Sequence, residues 1–259
     1  MKKLLSLKQS KYFSFIMCYL KLMIRKFKEK FIKNKLFYKF YRYLKYKLNY
    51  FPSYGATGED VLINKIFKGK IGFYVDVGAL HPVNGSNTYN LYKNGWKGIN
   101  FDLMNENIKL FKIFRPKDIS LNLAVSSKTG FINSYIFDSG SGLNTLEKKW
   151  AEKWKKKINK DYKIVKIKKD KLNNLLKKYN CPPNFDLLNV DVEGHEIDVL
   201  KGLNLKMFKP QIITIEIHSK KTEDIFKSEV YKYLKKNGYD LFSQYYMTSF
   251  FKIKNFEIF

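Results

Sequence analysis

At 259 residues the chain can bury one full hydrophobic core, as a single domain or as a domain with an extension. Hydrophobic residues at 45% and charged residues at 28% exclude wholesale disorder. Fifty Lys and Arg against 23 Asp and Glu leave a formal charge of +27, a balance that attracts polyanions, either nucleic acid or an anionic membrane surface.

The first fifth of the chain is the most basic. Residues 1–50 hold 15 Lys and Arg and a single acid, Glu29, so about half of the excess charge sits there. A general use of Lys at solvated positions accounts for the rest better than for this front-loading. No Pro or Gly occurs before Pro52, and Phe27, Phe31, Phe37, Phe40, Tyr41, Leu44 and Leu48 recur among lysines at near-helical spacing. The pattern predicts one or two basic helices with an apolar face that meets an anionic bilayer, a partner or the rest of the chain. The apolar run from Tyr12 to Leu20 is bounded by Lys11 and Lys21 and has no small-residue cleavage site after it. It is too short for a membrane span, which needs about 20 apolar residues, and it lacks the marks of a signal peptide. Only Cys18 and Cys181 are present, without a CxxC pair, which excludes a disulfide framework or a structural zinc site. The expected setting is cytoplasmic, with the basic segment resting on the inner membrane face.

The organisation predicted is an extension over residues 1–52 and a catalytic domain over 53–259. Past Pro52 the domain opens on a short helix, Glu59–Phe67. A strand over Ile71–Val77 precedes a helix at Thr88–Lys93, which stops before Gly95. Gly98–Phe101 is a strand, Asn105–Phe114 a helix and Ile119–Val125 a third strand. An added strand at Phe131–Phe137 leads into a Ser139-Gly140-Ser141-Gly142 loop. A Lys-rich helix over Trp150–Asn159, a strand at Tyr162–Ile167 and a helix at Leu172–Tyr179 follow. Phe185–Val190 is a buried strand, Ile197–Leu203 a helix and Gln211–Ile217 another strand. A helix at Glu229–Lys236 and two antiparallel strands, Tyr239–Tyr245 and Thr248–Ile253, close the chain. Such alternation is the pattern of an α/β domain with a mostly parallel sheet covered on both faces.

The chemistry concentrates at strand ends. Phe73-Tyr74-Val75-Asp76-Val77-Gly78-Ala79 is an apolar strand that ends in Asp-x-Gly, a turn that brings backbone close to a nucleoside. Asp102 ends the next strand 26 positions after Asp76, where a Rossmann-like site holds ribose hydroxyls. Either acid alone reads as a solvated turn residue; the pair at this spacing favours a nucleoside cofactor. Gly78 is followed by Ala79-Leu80-His81-Pro82, so the glycine-rich pyrophosphate turn is missing. That departure favours S-adenosylmethionine, which has no pyrophosphate, over NAD.

Several blocks together resemble the FkbM family of methyltransferases. They are Val75-Asp76-Val77-Gly78-Ala79-Leu80-His81-Pro82, Ser86-Asn87-Thr88-Tyr89 with Leu91-Tyr92, and Gly95-Trp96-Lys97-Gly98-Ile99-Asn100. Asp186-Leu187-Leu188-Asn189-Val190-Asp191-Val192-Glu193-Gly194-His195-Glu196 with Val199-Leu200-Lys201-Gly202 resembles a second signature. Pro210–Glu216 and Gly58-Glu59-Asp60 resemble flanking blocks. The resemblance runs from about Tyr54 to the end and leaves residues 1–50 uncovered. It implies a Rossmann-like class I methyltransferase sheet with an antiparallel C-terminal strand. It also implies methyl transfer from S-adenosylmethionine to a hydroxyl of a sugar, glycan or related small metabolite. Carried over position by position, Asp76, Gly78 and Ala79 shape the cofactor turn, and Asp102 binds the ribose. Ser86 and Asn87 reach the amino-acid end of the cofactor, with a plain N-cap as the competing reading of Ser86. Phe101-Asp102-Leu103-Met104 departs from the usual acid-Pro-Asn tip, which leaves the adenine contacts open.

Asp191, Glu193, Glu216 and His218 fall at the carboxyl ends of two strands, where ligands of open α/β sheets bind. Asp191 is the first choice for a base or acceptor-orienting group, and His218 the second. Glu216 and Glu193 support them. The same four side chains as ligands of a divalent ion rank below acid–base chemistry. His195 and His81 read as structural or supporting rather than catalytic, and for His81, in a cofactor-side loop, either role stays open. A nucleic-acid methyltransferase is the nearest rival, but the Asn/Asp-Pro-Pro-aromatic block expected after the fourth strand is replaced by Asp191-Val192-Glu193-Gly194. Nucleic acid is therefore not the expected partner. A non-catalytic membrane- or partner-binding module is the rival of a different class.

Overall fold

The computed structural model describes residues 39, 40, 42–44, 52–219 and 221–258. The chain divides into two units, Met1–Pro52 and Ser53–Phe259. In the first, residues 39, 40 and 42–44 are helical and expose Phe40, Tyr43 and Leu44. The other residues of the expected basic helices lie outside the described part.

The second unit is built on a seven-stranded sheet. Helix α1 (Glu59–Ile66) leads to β1 (Phe73–Val77), then α2 (Tyr89–Lys93), β2 (Lys97–Asp102), α3 (Asn105–Phe114) and β3 (Ile119–Asn122). Next come β4 (Ala124–Ser126), β5 (Gly130–Ile136), α4 (Lys148–Ile158), β6 (Lys163–Lys171), α5 (Leu172–Lys178), β7 (Leu187–Val190) and α6 (Glu196–Lys201). The chain ends with β8 (Ile212–Glu216), α7 (Thr222–Ile225), α8 (Glu229–Lys236), β9 (Tyr239–Tyr245) and β10 (Thr248–Ile253). Sheet order is β3-β2-β1-β7-β8-β10-β9, parallel except that β10 runs antiparallel to both β8 and β9. Strand order reverses between β1 and β7, which are neighbours although over 100 residues apart.

Because side chains alternate across a strand, each central strand feeds both faces. Val75, Leu188 and Ile213 enter the larger apolar cluster with Leu175, Val199 and Phe251, while Tyr74, Leu187 and Ile212 pack with Ile63, Leu91 and Trp96 on the other side. That second face also carries a buried polar row. Ser120, Asn100, Asp76, Asn189 and Thr214 are register neighbours across β3, β2, β1, β7 and β8. Asn189 Nδ2 donates to Asp76 at 2.8 Å, and Thr214 Oγ1 donates to Asn189 at 2.8 Å. Fully buried Arg115, just past α3, serves the same layer: it donates to Asp118 at 2.8 Å, Thr88 Oγ1 at 2.9 Å and Asn100 Oδ1 at 3.3 Å, and also to the Tyr74 hydroxyl. Polar groups so far from water keep their place only by being paired with one another.

The structure corrects the sequence reading in a few places. The strand expected over Ile119–Val125 breaks at Leu123: β3 joins β2, whereas β4 leaves for a separate sheet of order β4-β6-β5. β6 runs on to Lys171 because it pairs with β5 over Lys163–Lys169 and with β4 over Lys169–Lys171. α7 has no counterpart in the expected elements. The N-cap position of α2 is Thr88, while Ser86 is buried and accepts from Arg115 at 3.2 Å.

Candidate active site

A cleft of about 280 Å³ opens at the carboxyl ends of β2, β1, β7 and β8, across the point where strand order reverses. Crevices form there because chains leaving neighbouring strands depart in opposite directions. Two positions past the buried polar row, the same sheet face presents Asp102, Gly78, Asp191 and Glu216, and all four line the cleft. Gly78 is held at φ 83°, and a Cβ there would lie 1.7 Å from the Asp191 carbonyl oxygen. Its lack of a side chain is what lets the ends of β1 and β7 close on one another.

Asp102 is 8% exposed and accepts from three N–H groups: Leu80 N at 2.9 Å, Met104 N at 2.7 Å and Asn107 Nδ2 at 3.0 Å. Burial pushes its pKa up to about 6, against the pull of those three bonds. Phe101, Leu103, Met104 and Leu123 give this end of the cleft an apolar wall.

The other end is acidic. Asp191 has surface open to the cleft, but protein crowds around it, and this desolvation, with the Glu216 carboxylate beside it, holds its pKa well above the carboxylate range. Burial pushes Glu216 up to about 8, with the Glu193 charge next in effect and a hydrogen bond with Asp191 acting against it. Glu193 sits in the left-handed region at φ 52° and is raised by burial, while the bond from Trp150 Nε1 to its Oε2, 2.6 Å, opposes the rise. His218 Nε2 lies 3.0 Å from Glu216 Oε2 and 3.8 Å from Glu193 Oε2, and its ring packs 4.3 Å from Trp150.

Thus the structure brings Asp191, Glu193, Glu216 and His218 together, with His218 behind the two glutamates and off the cleft wall. Asp102 and Gly78 line the cleft; Asp76, Ala79, Ser86 and Asn87 do not. Asp76 is taken up internally by Thr88 Oγ1 at 2.6 Å and by Asn189. Asn87 Nδ2 turns toward Asn189 at 3.3 Å, and Ala79 is buried. His195 is structural, its ring nitrogens 2.7 Å from Glu147 Oε1 and 3.0 Å from Ser126 Oγ.

Other wall residues escaped the sequence reading. Thr57 and Glu59 reach the acidic end, and Glu59 accepts from Thr57 N at 3.1 Å; the acidic block at 58–60 was their only signal. Ser141, Gly142 and Asn144 come from the Ser/Gly loop, and Tyr246–Thr248 from the turn between β9 and β10. Trp150 gave no local signal, since only the third dimension sets it against Glu193.

Residues 76–241 match the model of the methyltransferase FkbM domain. The chain belongs to the FkbM methyltransferase family. Among solved structures, this FkbM protein is similar to a TehB-like SAM-dependent methyltransferase from Corynebacterium glutamicum at 13% identity, over 85% of this chain and 97% of that one, with a TM-score of 0.41. It is also similar to monomeric WbdD at 10% identity, over 76% of this chain and 41% of that one, with a TM-score of 0.43. No curated protein matches it.

The family implies S-adenosylmethionine as cofactor, and the cleft of this FkbM protein fits it. A carboxylate has about four acceptor positions, so Asp102, with three filled, keeps capacity for one more hydroxyl. The wall of Phe101, Leu103 and Met104 suits a flat purine, and the acidic end suits the cofactor's sulfonium cation.

Proposed function

We propose that the protein O-methylates a hydroxyl of a sugar, glycan or related metabolite, with S-adenosylmethionine lying along the cleft from Asp102 toward Asp191. The observation that carries this reading is the acidic cluster with its imidazole at one end of a cleft whose other end has the features of a nucleoside site. When bound, S-adenosylmethionine supplies a methyl group that is already electrophilic. The residues of the chain then have two tasks, to align the acceptor oxygen in line with that methyl and to receive its proton. Asp191, on the cleft wall and beside Glu216, is placed to do both. Glu193 and Glu216 border the acceptor oxygen, and Trp150 fixes Glu193 through its indole N–H. Ser86 and Asn87 contribute through the layer beneath the cofactor, not by direct contact.

The test is transfer of labelled methyl to a panel of hydroxylated mono- and oligosaccharides. An ether product, stable to mild base, is expected, and Asp191→Asn should lower kcat about a hundredfold with little change in cofactor affinity. A base-labile ester, or label only on amines or nucleic acid, would overturn the reading.

A further inference from the structure

Glu193, Glu216 and His218 come together, with one carboxylate oxygen from each acid and one imidazole nitrogen all within 4.8 Å of one another. Glu216 is only 8% exposed, and its Oε2 is buried without a hydrogen-bond partner. His218 Nε2, 3.0 Å away, is buried and equally without a partner. Two such orphans cost free energy if nothing fills the space between them. A simple ion pair does not account for them: the atoms are close enough, but the angles form no hydrogen bond. Their separation is instead that of neighbouring ligands on one ion, since bonds of about 2.1 Å at right angles put donor atoms about 3.0 Å apart.

We propose that Glu193, Glu216 and His218 bind one divalent first-row cation at the acceptor end of the cleft. An imidazole among carboxylates selects Mn²⁺, Fe²⁺, Co²⁺ or Zn²⁺ over the all-oxygen preferences of Mg²⁺ and Ca²⁺. Trp150 acts as a positioning residue, its N–H orienting Glu193 as supporting hydrogen bonds orient metal ligands generally. The other cluster of this composition among the described residues, Glu147, His195 and Asp198, is not such a site. Both nitrogens of His195 are engaged, and Asp198 accepts from Ser127 Oγ at 2.6 Å.

The consequence for catalysis rests on the methyl-transfer reading. Glu193 and Glu216 belong to the cleft wall as well as to the cation site, so a bound cation would lie next to the acceptor end and lower the pKa of the acceptor hydroxyl. That oxygen gives its proton to Asp191 and attacks the methyl: the O–C bond forms, the S–C bond breaks, and the sulfur leaves as a neutral thioether.

The experiment uses the full chain stripped with EDTA and titrated with Mn²⁺, following loss of the free-ion paramagnetic resonance signal. One equivalent should bind to wild type. Glu216→Gln and His218→Asn should each weaken binding at least about tenfold. Glu147→Gln should leave it unchanged. Retained S-adenosylhomocysteine binding and an unaltered circular dichroism spectrum certify that the variants fold. Wild type that binds S-adenosylhomocysteine but neither Mn²⁺ nor Zn²⁺ at millimolar concentration overturns the cation site and leaves methyl transfer standing. Cation binding sensitive to Glu216 without any S-adenosylhomocysteine binding supports the site and removes the methyl-transfer reading instead. Loss of binding in Glu147→Gln, with Glu216→Gln unaffected, also overturns the proposal.

Discussion

Asp102 is costly to the empty protein and useful to the loaded one. Its folded-state pKa of about 6 lies above the unfolded value of 3.8, so the native state binds the extra proton between those pH values. The stability it contributes is therefore full at low pH and declines as pH rises through that window. A ribose hydroxyl donating to the ionised form offsets that cost. We expect the affinity for S-adenosylhomocysteine to be flat above neutrality and to fall as pH drops through about 6, while Asp102→Asn binds weakly with no such step; calorimetry across pH checks this, and a wild-type profile without the step would refute the role. Arg115 illustrates the opposite economy, being one of three arginines in a chain that otherwise uses Lys for positive charge. A lysine there keeps the charge but loses the planar fork that serves Asp118, Thr88, Asn100 and Tyr74 at once. Arg115→Lys should cost about 2–3 kcal/mol in urea unfolding, with buried acceptors left unpaired. At this scale the sequence was legible where an acid ends a strand, as at Asp102, Asp191 and Glu216. Asp76 has the same local look but lies two positions short of the cleft row, and the partners that absorb it, Thr88 and Asn189, are 12 and 113 residues away.

Among elements, short apolar runs made the central strands readable, since β1 and β7 are apolar on both faces apart from one polar residue each, Asp76 and Asn189, which are in register. The break at Leu123 was not readable. Ile119–Val125 keeps an apolar residue at every second position with no Gly or Pro between, and only pairing decides that β3 stays with β2 while β4 joins β6. Local pattern is silent about which distant strand supplies the hydrogen bonds. Helix α4 was legible as a helix but not as part of the site. Its lysines are mostly solvated, yet Trp150 faces inward to bond Glu193 and pack on His218. Trp150→Phe retains an aromatic ring beside His218 and removes the indole N–H together with the five-membered ring. It should lower kcat about tenfold and leave S-adenosylhomocysteine affinity unchanged. Steady-state kinetics beside calorimetry separates the two, and a variant with wild-type kcat would show that Glu193 needs no such anchor.

For the whole molecule, the uneven charge is the feature the catalytic fold leaves unexplained. Residues 1–50 carry 15 basic side chains and one acid, together with aromatic residues at the spacing expected of an interfacial helix. No helix among the described residues is long and apolar enough to cross a membrane. We propose that the basic segment attaches the protein to an anionic lipid surface. Each Lys or Arg near an anionic surface contributes about 1 kcal/mol, an attraction that fades within a Debye length of about 10 Å at 0.1 M salt. The full chain should sediment with phosphatidylserine vesicles at low salt, release as salt rises, and ignore phosphatidylcholine vesicles. A chain lacking residues 1–50 should lose most of this binding while keeping its affinity for S-adenosylhomocysteine, because the described residues that line the cleft all lie beyond 52. Undiminished vesicle binding by the shortened chain would assign the attraction to the lysines of the catalytic unit. The basic segment would then have to serve a partner of another kind.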